Sequence, residues 1–179
     1  DEVDWNLGPN MQFYRMLNFL DQDDSFSDFM YYMESDSVPI VSGWLDALVT
    51  EVEANKPFSV LGVTYAGHNW DAYSGDSIIK PALRHHLNGN GVYNLGHAVI
   101  QTMMSRFTDD AAWEQTAHSS FDVAISEYLL EEQSVAVASL TSSPSNYKAI
   151  GMFANFATTL TLPQDIPDRT KILHGGVFV

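Results

Sequence analysis

The acidic triplet Glu34-Ser35-Asp36 is the first place in this chain where side-chain type and spacing offer chemistry. It follows directly on Phe29-Met30-Tyr31-Tyr32-Met33, an apolar run suited to a buried strand. In open α/β sheets ligands bind beyond the carboxyl ends of the strands. Two carboxylates there supply the hard oxygen donors that a divalent cation prefers. The spacing alone is weak: 23 acids in 179 residues give roughly 3 acid-x-acid triplets by chance, and four occur, at 2/4, 21/23, 34/36 and 51/53. Only the 34/36 pair follows a buried-strand pattern, and a solvated strand-to-helix turn would carry the same residues. A second candidate is His86-Leu87-Asn88-Gly89-Asn90-Gly91-Val92-Tyr93. Its Asn-Gly pairs allow tight backbone bends, and asparagine amides both donate and accept, which suits sugar hydroxyls. The same pairs are also the strongest short signal for a β-hairpin turn. His174 stands between Lys171-Ile172-Leu173 and two glycines, where imidazole serves as a metal ligand or as a structural group beside a turn. Asp122, in Ser120-Phe121-Asp122, is a candidate general base or a helix-capping acid, with Glu114 as an alternative base.

These residues need elements to hold them. Pro9 marks a helix start, and residues 11–20 carry apolar side chains at helical spacing. The run 29–33 reads as a strand central in its sheet. Residues 42–52 read as an amphipathic helix with Ser42 at the N-cap, and Trp44, Leu45 and Leu48 are expected on its buried face. A strand over 58–63 follows, so strand, helix and strand succeed one another as in a βαβ unit. Helices are expected near 98–104 and 121–130, a strand over 135–140, and a short strand at 171–173 that delivers His174. The fold class is therefore α/β: a mixed, mostly parallel sheet flanked by helices, as one domain over residues 1–179.

Composition bounds the partners. Eight Lys and Arg against 23 Asp and Glu leave a net charge of −15. That excludes the basic face a nucleic-acid binder needs and disfavours docking on an anionic membrane. No cysteine is present, so thiolate metal sites and disulfides are excluded. No apolar run approaches the roughly 20 residues of a membrane span. With no Asn-x-Ser/Thr acceptor either, the cytoplasm and the Golgi or ER lumen both fit, and the compartment stays unknown. The chain opens on Asp1-Glu2-Val3-Asp4, which reads as a processed or truncated start.

Taken together, these segments resemble glycosyltransferases of the GT-A fold, a Rossmann-related architecture. Residues 29–39, running into Gly43-Trp44-Leu45-Asp46-Ala47-Leu48, look like the family's metal-binding "DxD" strand: an acid-x-Asp, a proline and a "WL" helix. His86-Leu87-Asn88-Gly89-Asn90-Gly91-Val92-Tyr93 is similar to an H-x-N-G-N-x-x-Y segment of related proteins. Lys171-Ile172-Leu173-His174-Gly175 looks like the late strand that returns a histidine to the metal. The resemblance spans residues 9–175 and implies a Mn2+ or Mg2+ held by Asp36 and His174, with Glu34 as ligand or outer shell. It implies a nucleotide-sugar donor, with Asn88, Gly89 and Asn90 shaping the donor-sugar or acceptor pocket. Asp122 would deprotonate an acceptor hydroxyl on a glycan, protein or small molecule. A GT-A domain opens on a nucleotide-binding strand, whereas here only about thirty residues precede Glu34, and ahead of the 29–33 strand they read as a helix. An N-terminally truncated core is therefore expected, completed by other segments or subunits. Two rivals stand beside it: an inactive glycosyltransferase-like structural or binding subunit, and a metallohydrolase using His68, His86, Asp36 and His174.

Overall fold

The structure is a computed structural model; it describes residues 7–22, 28–64, 86–106, 120–138, 147–157 and 166–175. In chain order these form α1 (Leu7–Asp21), β1 (Phe29–Tyr32), β2 (Ser37–Pro39), α2 (Trp44–Asn55), β3 (Val60–Gly62), β4 (Gly91–Asn94), α3 (Ala98–Arg106), α4 (Phe121–Ala138), β5 (Tyr147–Ala149), β6 (Phe153–Ala157) and β7 (Ile172–Gly175). None of these helices is long and apolar enough to cross a membrane.

The strands make two sheets, one in the order β1-β4-β3-β5 and one in the order β2-β7-β6. The architecture is mixed α/β, as expected, but among the described residues the sheets are not mostly parallel. Three pairings are antiparallel (β1 with β4, β3 with β4, β2 with β7), and two are parallel (β3 with β5, β6 with β7). β4 is the cause. It runs antiparallel to both β1 and β3, so these two point the same way across α2 but are separated by the inserted strand. The insertion depends on Gly91, where an added Cβ would come within 2.7 Å of the Leu61 carbonyl oxygen.

The first strand is consequently an edge of the four-stranded sheet among the described residues, not its centre. It is apolar on both sides because both faces of that sheet are covered. Met30, Tyr32, Val60 and Tyr93 face a core built with Phe13, Tyr14 and Leu17 of α1, Ile100, Met103 and Met104 of α3, and Phe121, Ile125 and Leu129 of α4. Phe29, Tyr31, Leu61 and Val92 face the other way, into a core with Leu48 and Val52 of α2 and Phe153 and Ile172 of the second sheet. The period-2 alternation of strand side chains produces this division.

Helix α2 begins at Trp44, and its N-cap is Gly43, at φ 71° and without a side-chain capping bond, rather than Ser42. A left-handed turn needs no side-chain cap and suits glycine. The buried stripe runs through Leu48 and Val52, with Trp44 half-buried and its ring 6.1 Å from that of Tyr31. Leu45 faces outward instead, 55% exposed, as does Val49. Over the described part of the strand expected at 135–140 the chain is helical instead: α4 continues to Ala138. Val and Ala in alternation fit a strand period, but the preceding Leu129-Leu130-Glu131-Glu132 are strong helix formers and carry the helix through.

Candidate metal centre

Glu34 and Asp36 occupy the turn by which the chain leaves the first sheet and enters the second. The turn is closed by the Ser37 N–H donating to the Glu34 carbonyl at 3.0 Å. β2 then pairs with β7 in the register Ser37↔His174, which puts the histidine beside the turn. The three side chains, about 140 positions apart in sequence, meet. His174 Nε2 lies 2.9 Å from Glu34 Oε2 and 3.1 Å from Asp36 Oδ1, and the donor atoms of all three fall within 4.8 Å of one another. His174 is buried, while the Asp36 side chain is 62% exposed, so the cluster opens to solvent on the aspartate side.

The other ring nitrogen of His174, Nδ1, is 3.0 Å from Asn155 Oδ1. A carbonyl oxygen only accepts, so this contact favours the tautomer with the hydrogen on Nδ1. Nε2 is then left facing two carboxylates, an arrangement that needs a positive species between them: either a proton on Nε2 or a metal cation. Without a cation the proton is favoured. Burial alone would lower the imidazole pKa, but the hydrogen bond and charge of Glu34, the charge of Asp36 and the more distant charge of Asp122 outweigh it, and the net shift is upward. The donor set also fits a cation. Neighbouring ligands around an ion bound at about 2.0–2.1 Å lie about 3 Å apart, which matches the two short contacts of Nε2.

The asparagine-glycine segment packs against the back of this cluster. An added Cβ on Gly89 would come 3.2 Å from Glu34 Oε1 and 2.4 Å from the Phe121 ring. The Gly89 N–H donates to Asp122 Oδ2 at 3.1 Å, the Gly89 carbonyl accepts from Tyr93 Oη at 2.8 Å, and the Asn90 N–H donates to Asn88 Oδ1 at 3.0 Å. Asn90 is fully buried, and its Oδ1 accepts from the Tyr31 hydroxyl at 3.0 Å. These bonds make Gly89 and Asn90 the floor behind Glu34; only Asn88 of the three is half-exposed.

Asp122 sits in the first turn of α4 and is tied on several sides. Oδ2 accepts from Gly89, and Oδ1 accepts from the Val123 N–H at 2.8 Å and from the Ser120 hydroxyl. Asn10 of α1 accepts from the Phe121 N–H at 2.7 Å and so pins the same turn. Asp122 is therefore both a helix-capping acid and a neighbour of the cluster, one glycine away from Glu34. His86 Nε2 lies 3.7 Å from Asp122 Oδ2, too far for a hydrogen bond. It faces Asp122 rather than joining the metal-ligand group among the described residues. His68 and Glu114 lie outside the described residues.

Sequence reasoning missed Asn155. Its signal was available: one asparagine inside Phe153-Ala154-Asn155-Phe156-Ala157, an otherwise apolar strand. Comparison with protein-family models, with curated proteins and with solved structures finds no match.

Proposed function

We propose that this chain carries the cation-binding core of a metal-dependent glycosyltransferase related to the GT-A fold, acting on a nucleotide-sugar donor and an acceptor hydroxyl. The observation that carries the reading is the convergence of Glu34, Asp36 and His174 at the corner between the two sheets. Glu34 and His174, the less exposed pair, would anchor Mn2+ or Mg2+, and Asp36 would hold it on the solvent side. Such an ion, when bound, supplies Lewis-acid neutralisation of a leaving diphosphate. The composition agrees with that need: at −15, with eight cationic side chains, the protein has little of its own charge to offer a diphosphate.

The chain's own residues then bind and orient. Gly89, with no side chain, lets the segment pass between Glu34 and Phe121. Asn88, the half-exposed member of that segment, would meet a sugar hydroxyl. Asp122, in an inverting reaction, would accept the acceptor's proton, which requires it to release the Ser120 hydroxyl. The test is hydrolysis of a panel of nucleotide sugars with and without Mn2+, in the protein and in Asp36→Asn. Mn2+-dependent release of nucleoside diphosphate, lost in the variant, is the expected result. Mn2+ binding without turnover of any donor would leave the inactive binding or structural subunit as the better reading.

A further inference from the structure

The three-stranded sheet presents its residues in rows across β2, β7 and β6. Pro39, Ile172 and Phe153 form one row, and Val38, Leu173 and Ala154 form the next. Both rows are apolar. The third is Ser37, His174 and Asn155, and it is polar in all three positions although all three residues are buried. Partnered residues on adjacent strands point to the same face of a sheet, so this row is a line of polar side chains behind the Glu34-Asp36 turn. Burying polar groups is costly unless they are matched, and within this row the match is between His174 and Asn155. The β6–β7 register shifts between Asn155 and Ala157, directly after the asparagine. Such irregularities re-aim side chains.

We propose that Asn155 is a positioning residue. By accepting the Nδ1–H it fixes His174 in one tautomer and aims the Nε2 lone pair at a divalent cation shared with Glu34 and Asp36. This rests on the metal reading above and adds to it the residue that sets the histidine. A free imidazole can carry its hydrogen on either nitrogen, and with the hydrogen on Nε2 it donates to the carboxylates and cannot ligate. An oxygen 3.0 Å from Nδ1 weighs against that alternative, because it accepts the hydrogen of the Nδ1–H tautomer. Asn155 reaches the cation only through His174 and touches no substrate.

The experiment compares the protein with Asn155→Leu, which keeps the volume but has no acceptor, and Asn155→Asp, which keeps an acceptor oxygen. Mn2+ affinity is measured by calorimetry, and circular dichroism checks folding. Asn155→Leu is expected to weaken Mn2+ binding by about 10–100-fold, the range for losing a ligand's outer partner, and Asn155→Asp to restore most of it. A folded Asn155→Leu that binds Mn2+ as tightly as the parent protein overturns the proposal. Ring 15N shifts of His174, read in the parent protein at alkaline pH and again with diamagnetic Mg2+, give a second readout that survives a misfolded variant. Hydrogen on Nδ1 upholds the positioning role, and hydrogen on Nε2 overturns it. If the parent protein binds no Mn2+, the metal reading of the cluster has failed, and the tautomer still decides the role of Asn155.

Discussion

The Nε2 atom of His174 has one lone pair, which can take either a proton or a cation but not both, and that governs its behaviour with pH. In the cation-free protein the imidazole pKa is raised from 6.5 by Glu34 and Asp36 against the opposing effect of burial. A raised folded-state value means the protonated ring stabilises the fold at pH below the unfolded value. That stabilisation fades as pH rises through the folded value. Chemical denaturation of the cation-free protein should therefore show stability falling as pH climbs past the ordinary histidine range, and His174→Gln should flatten that slope. An unchanged slope would place the titration elsewhere. Cation binding runs the other way: Mn2+ must displace the proton, so its affinity should increase over the same pH interval. Asp36→Asn should weaken Mn2+ by at least about 10-fold, the lower end of what even an outer partner contributes. Asp46→Asn, an exposed acid in the first turn of α2, should leave it unchanged. Equal losses in both variants would mean that the ion senses only the summed negative field.

At the scale of elements, packing separates positions that look alike in sequence. Leu45 and Leu48 are both apolar residues in one turn of α2, yet the first is 55% exposed and the second 4%. Leu48→Ala should cost about 2–5 kcal/mol in a denaturant titration, and Leu45→Ala less than about 0.5 kcal/mol. Similar costs would mean that α2 is rotated on the sheet. Gly89→Ala tests the contact between the asparagine-glycine segment and α4: its methyl must displace the Phe121 ring, which is itself stacked on Phe13. A loss of about 1–3 kcal/mol is expected, as for an overpacked core. Helix α2, the strand before the acids and the strand delivering His174 were legible because each shows a clean apolar period next to a punctuating residue. The pairing partners were not. Gly91 permits the close approach to Leu61, but nothing in Gly91-Val92-Tyr93-Asn94 says which two strands it will lie between. Asn155 stands out in the sequence as the one polar residue of its strand, but its role does not, because that lies in the register that sets it opposite His174.

For the molecule as a whole, the cluster lies where the chain crosses from one sheet to the other. Glu34 and Asp36 flank the turn that joins β1 of the first sheet to β2 of the second, and His174 comes from the strand paired with β2. An ion bound there would hold the corner closed, taking the place of the proton between the two carboxylates. Binding should thus appear as global stability. At 100 times its dissociation constant a ligand specific to the folded state adds about 2.7 kcal/mol, which for a chain of this size raises Tm by about 5–10 °C. At −15 the protein also gains from any cation that screens its self-repulsion, so a shift in Tm alone does not locate the ion. The two effects separate by comparison. Thermal melts with Mn2+ against NaCl at matched ionic strength should show the larger shift for Mn2+. That excess should vanish in Asp36→Asn and in His174→Gln while the NaCl response persists. A Mn2+ excess that survives both substitutions would place the bound ion away from the corner, and the cluster would then be an imidazolium held between two carboxylates, stabilising the turn by its proton alone.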